Sequence, residues 1–168
     1  MKVGASVCAS SGFNALKFLD LARLEKITWY SGVPTMHQAI LLRANKNKEA
    51  AKNLNLRLIR SSSASLPPAV FKDLNDAFNC PVIEAYGMTE ATHQMTSNPL
   101  PPKQQKAGFV GLPAGPEVCI MSENGDMMKQ GEEGEVCIKG ENVTLGYENN
   151  EKQTKQVSQM VGLELVIK

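Results

Sequence analysis

The sequence has almost no net charge and little aromatic content. Its 18 basic and 17 acidic side chains leave a formal charge of +1, and aromatic residues make up 5% of the 168-residue chain. Without an excess of positive charge, no global field attracts nucleic acid or an anionic membrane. The apolar fraction of 42% is ordinary for a globular protein, so one domain with a real core is expected.

The sequence also lacks a long apolar run, a signal peptide and closely spaced cysteines. No stretch is apolar for long enough to span a bilayer. The four cysteines, Cys8, Cys80, Cys119 and Cys137, lie far apart in the sequence and do not follow the spacing of a metal site. We therefore expect reduced thiols and a cytoplasmic protein.

Residues 1–100 alternate apolar, β-rich runs with segments of helical periodicity, which predicts a mostly parallel sheet with flanking helices, an α/β fold. Strands are predicted at 3–10, 27–32, 56–60 and 81–87, and helices at 14–26, from Pro34 to Ala44, and at 66–78. Pro34 suits a first helical turn, and Ser65 is the expected N-cap of the last helix.

Residues 101–147 are predicted to form a small antiparallel β subdomain. Prolines and polar residues in "NPLPPKQQK" end the helical rhythm, and short β runs separated by turn residues follow it. Asn124-Gly125 predicts a type I′ hairpin turn, which needs positive φ at both residues. Residues 148–168 form a tail that is predicted as a marginal helix or a frayed end.

Two polar loops follow strands of the predicted parallel sheet. "SSSAS" (61–65) precedes a helix, and "EAYGMTE" (84–90) ends the last strand of the α/β region. Ligands bind at the carboxyl ends of such strands, where Tyr86 can stack on a planar base and Gly87 keeps the turn compact. Thr89 offers a hydroxyl to phosphate, and Glu90 offers an oxygen ligand to Mg²⁺. Taken singly, the serine-rich loop is usually an ordinary turn with caps, and "EAYGMTE" has the alternative of a turn into a capped helix.

Together, these segments resemble the large domain of the adenylate-forming (AMP-binding) acyl-CoA synthetases. The matching segments, in order, are "WYSGVPT", "IRSSSASLPP", "EAYGMTE", "GFVGLPAGP" and "GEVCIKGENVTLGY". Ser62 and Ser63 stand where many members carry glycine or alanine. The resemblance spans about residues 1–150.

Within that family, "VPTMHQ", "RSSSASLPP" and "TEATHQMTSNPLP" resemble the oxalate–CoA ligases. A small dicarboxylate needs polar donors where fatty-acyl enzymes have an apolar tunnel, and His37, Ser63 and His93 are the candidates to supply them. The alternative interpretation of His37 is a helix residue that packs against its neighbours.

The resemblance implies a two-step ligase reaction that uses ATP, Mg²⁺ and coenzyme A on a small carboxylic acid. Thr89 and Glu90 would be catalytic, with Glu90 as the metal ligand. The residues implied in nucleotide binding are Ser63, Ala64, Glu84, Ala85, Tyr86, Gly87 and Thr89. A peroxisomal location is compatible with the full-length family, although the final Val-Ile-Lys is not an address of the Ser-Lys-Leu type.

Several parts of the family pattern have no counterpart in these 168 residues. They are the glycine-rich phosphate loop with its lysine, the Thr-Gly-Asp ribose segment and the small domain with its catalytic lysine. We therefore expect a fragment that is inactive alone and that self-associates through a truncated sheet. The alternatives are a non-catalytic nucleotide- or protein-binding remnant, and a domain that shares the architecture but acts through its exposed sheet.

Overall fold

A computed structural model describes residues 4–158 and 165–167. The chain forms two compact units, each built from two separate stretches. Unit 1 comprises Met1–Glu84 and Asn98–Phe109, and unit 2 comprises Ala85–Ser97 and Val110–Lys168. The division therefore differs from the consecutive segments that the sequence suggested.

Unit 1 is an α/β layer in which helices alternate with parallel strands. Its elements are α1 (Phe18–Leu24), β1 (Trp29–Gly32), α2 (Pro34–Lys46), α3 (Lys48–Lys52), β2 (Leu58–Ser61), α4 (Pro68–Phe78) and the start of β3 (Val82–Tyr86). β1 pairs in parallel with β2, and β2 pairs in parallel with β3. The predicted α/β fold class is confirmed.

The core of unit 1 lies between these strands and the helices α2 and α4. Ile59 and Val82 from the strands pack with Ile40 of α2 and with Leu74 and Phe78 of α4, and all five are almost completely buried. Burying a side chain of this size contributes about 1.5–3 kcal/mol. The core therefore fixes the strand ends, where the polar loops begin.

Two local predictions for unit 1 are wrong. Residues 4–10 form no regular element and are exposed, because no strand among the described residues pairs with their backbone groups. Ser65 does not cap α4, which begins at Pro68 with Pro67 at the N-cap position and no side-chain cap bond. A proline in the first turn has no N–H that would need such a cap.

Unit 2 is built from antiparallel strands. The end of β3 pairs with β4 (Thr96–Ser97), and β4 pairs with β5 (Leu112–Pro113). A second sheet contains β6 (Glu117–Met121), β7 (Glu135–Lys139) and β8 (Leu165–Ile167). The small core of unit 2 is formed by Ala91, Met95 and Ile138. The predicted antiparallel character is confirmed.

The turn after β6 is not the predicted type I′ turn. Gly125 has a φ of 86°, whereas Asn124 is not among the described residues with positive φ. The Gly125 N–H donates to the Ser122 carbonyl at 3.0 Å, so the turn is centred on residues 123 and 124. A two-residue hairpin with Asn124-Gly125 at its centre would be centred one residue later. A turn followed by a left-handed glycine is the pattern of longer, bulged hairpin loops.

The C-terminal segment contains more regular structure than a frayed tail. The helix α5 (Glu151–Ser158) is confirmed, and β8 was not predicted. Within the described part of the chain, no helix has the length and apolar character needed to cross a membrane.

Candidate functional site

The candidate site residues divide between the two units. Unit 1 holds His37, Ser63, Ala64 and Glu84, and unit 2 holds Ala85, Tyr86, Gly87, Thr89, Glu90 and His93. Each set is described within its own unit.

In unit 1, the serine-rich loop begins at the carboxyl end of β2. The register places Ser61 opposite Glu84, so the two strands that precede the polar loops are neighbours in the sheet. Ser61 and Ser62 are buried, yet the hydroxyl of neither makes a hydrogen bond. Ser63 and Ala64 are exposed, and Ser63 has a φ of 73°. Buried hydroxyls normally have a partner, so this loop has unused capacity to donate to a ligand.

His37 is completely buried near the start of α2. Its Nδ1 lies 3.2 Å from the hydroxyl of Tyr30, and a Cβ placed on Gly32 would come within 3.2 Å of its ring. The Nε2 atom makes no hydrogen bond of ordinary geometry within the described residues. The ring is therefore packed on its neighbours and also carries one unused polar atom, so the two interpretations of His37 are compatible.

The environment of His37 keeps its imidazole neutral. Burial lowers the pKa of His37 to about 4, and the nearby carbonyl groups of Gly32 and Arg60 only partly oppose this effect. Burial also raises the pKa of Tyr30 above its ordinary range, so its phenol stays protonated. When the Tyr30 hydroxyl donates to Nδ1, the neutral imidazole carries its proton on Nε2. His37 can then act as a neutral donor and not as a cation.

The buried neutral His37 makes stability depend on pH. The unfolded chain binds a proton at His37 near its ordinary pKa of 6.5, whereas the folded chain binds it only near 4. The free energy of unfolding should therefore fall as the pH is lowered through this window, by about 2 kcal/mol between roughly pH 7 and pH 5. Urea denaturation at both pH values measures the loss, and His37→Gln should remove it.

The chain contains two histidines, so the second is the matched control. His93 is exposed, and His93→Gln should leave the pH dependence of stability unchanged. An equal pH dependence in the wild-type protein and His37→Gln would contradict the assignment of the effect to the buried ring.

Glu84 has a structural partner in unit 1. Its carboxylate is buried, and Oε1 accepts a hydrogen bond from the Gly108 N–H at 2.7 Å. Its carbonyl accepts one from the Asn98 N–H at 2.8 Å. The side chain thus anchors the 98–109 stretch, and its predicted place at the adenine edge would depend mainly on its backbone.

In unit 2, the chain from Tyr86 to His93 forms a closed loop. Met95 N–H donates to the Tyr86 carbonyl at 3.0 Å, and His93 N–H donates to the Met88 carbonyl at 2.9 Å. Tyr86 is half-buried against the small core of the unit, and Thr89 is exposed at the start of a short 3₁₀ turn, Thr89–Ala91. Ala91 is fully buried and fixes this turn.

Glu90 lies in the same turn and has two partners in one segment of the chain. The hydroxyl of Tyr147 donates to Glu90 Oε1 at 2.8 Å, and the Thr144 N–H donates to the Glu90 carbonyl at 2.7 Å. The hydrogen bond to the carboxylate raises the pKa of Tyr147, so its phenol remains a donor. The side chain of Glu90 is half-buried and ordered by this contact.

His93 is exposed and has an unusual backbone conformation. Thr92 and His93 have φ values of 48° and 76°, a region that residues other than glycine seldom adopt. The Thr92 hydroxyl donates to the Asn142 carbonyl at 2.7 Å, which holds this conformation in place. Strained residues kept by such contacts are often functional, as the resemblance implies for His93.

A Mg²⁺ ion fits the donor chemistry of the loop in unit 2. Among the described residues, no three His, Cys, Asp or Glu side chains gather as a metal-binding group. Mg²⁺ usually keeps several waters and uses one or two carboxylates together with substrate phosphates, so it does not need an all-protein cage. Glu90 can supply that carboxylate, since a second oxygen remains beside the one that Tyr147 occupies.

Sequence reasoning missed several contacts of the site. Tyr30 and Tyr147 were not singled out, although both contact candidate residues directly. Arg60 is a further half-buried cation at the end of β2, where Nη1 donates to the Ser31 hydroxyl and burial lowers its pKa. One signal for Tyr147 was present in the sequence. Tyr147 and the glycine before it end the segment "GEVCIKGENVTLGY", which resembles the family.

The whole candidate region matches proteins of known activity. The family model described as "AMP-binding enzyme" matches residues 1–148. The oxalate–CoA ligase of Arabidopsis thaliana is 47% identical over 155 residues, which are 90% of this chain and 30% of that protein. The oxalate–CoA ligase of Saccharomyces cerevisiae is 46% identical over 151 residues and is covered to 27%. The chain thus spans about 30% of the length of the first of these relatives.

A solved structure supports the same assignment. The anthranilate CoA ligase AuaEII in complex with anthranoyl-AMP superposes with a TM-score of 0.83 at 30% identity, covering 98% of this chain and 31% of that chain. Since the family model matches most of the sequence, the chain belongs to the family of AMP-binding enzymes.

Proposed function

We propose that the chain supplies the acid- and adenine-binding part of an ATP-dependent CoA ligase that acts on a small carboxylic acid such as oxalate. The observation that carries the proposal is the closed loop of unit 2, in which Tyr86 precedes an ordered Glu90 held by Tyr147. The similarity to two oxalate–CoA ligases at 46% and 47% identity supports the substrate.

In the proposed reaction, a carboxylate oxygen of the acid attacks the α-phosphorus of ATP and pyrophosphate leaves, which gives an acyl-adenylate. The thiolate of coenzyme A then attacks the acyl carbon, and AMP leaves as the thioester forms. Tyr86 would stack on adenine, Thr89 would donate its hydroxyl to phosphate, and Glu90 would hold Mg²⁺. The ion would neutralise charge on the phosphates when bound.

The acid would be held by hydrogen-bond donors in this proposal. His37 offers Nε2–H, Ser63 and its neighbours offer hydroxyls, and His93 offers an exposed imidazole. Such donors suit a small, doubly charged acid better than an acyl chain, because an apolar chain would leave them unpaired. We also propose the cytoplasm as the compartment of the protein. Self-association through the truncated sheet remains a prediction.

The test is ATP–pyrophosphate exchange with a panel of acids, measured on the natural protein that contains this chain. This protein is called the native-length protein below. We expect exchange with oxalate and little with long-chain fatty acids. His93→Ala should raise the KM for oxalate about 10-fold, because a hydrogen bond to a charged group contributes roughly 1.5–3 kcal/mol. The affinity for ATP should change little.

Gln104→Ala, an exposed change in the 98–109 stretch, is the matched control and should leave both constants unchanged. Unchanged oxalate kinetics in His93→Ala would reject the assignment of His93. Exchange with fatty acids but not with oxalate would reject the substrate class. Nucleotide binding without exchange with any acid would favour the alternative, a non-catalytic binding module.

A further inference from the structure

We propose that Tyr147 is a positioning residue for Glu90 and that it orders the carboxylate before a divalent cation binds. The inference rests on the metal-binding role proposed above for Glu90. It adds a residue that lies 57 positions away in the sequence and belongs to the same unit.

Two contacts join the segment of Tyr147 to Glu90. The phenol donates to Oε1 of the carboxylate at 2.8 Å, and the Thr144 N–H donates to the Glu90 carbonyl at 2.7 Å. The main chain and the side chain of Glu90 are thus held from the same short stretch. The hydrogen bond to Oε1 already restricts the orientation of the carboxylate. The side chain therefore loses less conformational entropy when its second oxygen binds a cation.

Tyr147 is itself held firmly by α5. Its N–H donates to Thr154 Oγ1 at 2.9 Å. Both the N–H and the hydroxyl of Thr154 donate to the Asn150 carbonyl, at 3.0 Å each. A Cβ on Gly146 would lie 2.5 Å from Thr154 Cγ2, so only glycine lets the chain approach α5 this closely. The phenol is therefore presented to Glu90 by a fixed backbone and not by a free side chain.

A phenol that orients a metal-binding carboxylate acts on the metal without touching it. Partners of this kind typically change metal affinity by about 10–100-fold when they are removed. A role limited to stability would lower the melting temperature but would leave cation binding by the folded protein unchanged. The two roles are therefore separable by measuring the cation directly.

The experiment is a Mn²⁺ titration followed by electron paramagnetic resonance, with the native-length protein and a non-hydrolysable ATP analogue. We expect Tyr147→Phe to weaken Mn²⁺ binding about 10-fold while nucleotide binding without metal stays unchanged. Glu90→Gln should weaken Mn²⁺ binding further. The double variant should match Glu90→Gln alone, because Tyr147 acts only through that carboxylate.

The outcomes separate this inference from the function on which it rests. Unchanged Mn²⁺ affinity in Glu90→Gln would overturn the metal assignment itself. Weakened binding in Glu90→Gln but not in Tyr147→Phe would overturn only the role of Tyr147. Circular dichroism checks that the variants are folded. Thr154→Val is the second variant, because it removes the hydroxyl that accepts from the Tyr147 N–H. It should weaken Mn²⁺ binding in the same direction. Unchanged affinity in Thr154→Val would overturn the part of the proposal that assigns the support of Tyr147 to α5.

Discussion

Replacing Glu90 by glutamine is expected to lower adenylate formation at least about 100-fold while the fold is kept. The substitution removes the negative charge that we propose for Mg²⁺ binding. The amide oxygen of glutamine can still accept the hydrogen bond that the Tyr147 hydroxyl now gives to Oε1. The backbone bond from Thr144 to the carbonyl of residue 90 is independent of the side chain. ATP–pyrophosphate exchange by the native-length protein measures the loss.

The matched control is Glu133→Gln, which makes the same chemical change at an exposed position between β6 and β7. It should leave exchange within about two-fold of the wild-type rate, as expected for an exposed charge that is screened by salt. A Glu90→Gln variant that is as active as this control would reject the metal-binding role. Equal melting temperatures for the two variants would show that any loss of activity is not a loss of folding.

The elements of unit 1 were largely predictable because its strands and helices follow strong local patterns. The apolar residues of α4 recur at helical spacing, and Leu74 and Phe78 do lie in the core. Residues 3–10 misled the prediction, since a short apolar run specifies a strand only where a neighbouring strand pairs with it. For residues 4–10, the structure provides no such neighbour. The pairing partner is a property of the fold and not of the local sequence.

The candidate site was predictable only in part. Residues within "EAYGMTE" lie close in sequence, so one motif places Tyr86 and Glu90 in a single loop. Their partners lie far away in the chain: Tyr147 is 57 positions from Glu90, and Asn142 is 51 positions from Ala91. The neutral state of His37 was likewise not predictable, because it results from burial beside Tyr30. A motif identifies candidate groups that are close in sequence, whereas the partners of those groups depend on tertiary packing.

Gly87 is the residue at which the loop of unit 2 is most sensitive to substitution. A Cβ at this position would lie 1.3 Å from the carbonyl oxygen of His93. The two backbone segments cannot move apart without breaking hydrogen bonds. The loop is closed by the bonds from His93 N–H to the Met88 carbonyl and from Met95 N–H to the Tyr86 carbonyl. Gly87→Ala should therefore force the backbone apart and lower the free energy of unfolding by at least about 4 kcal/mol, the range reached only by severe steric or packing defects. Urea denaturation measures the change.

Gly131→Ala separates this steric effect from the general cost of replacing a glycine. Gly131 has a φ of 94°, but a Cβ there would meet no atom within 4 Å. Its replacement should cost only about 1–2 kcal/mol, the penalty of a left-handed conformation. If Gly87→Ala costs no more than Gly131→Ala, the loop can open without loss and the close approach at Gly87 does not determine its stability. If Gly87→Ala costs far more, the close approach of two backbone segments explains why the motif has glycine directly after the tyrosine.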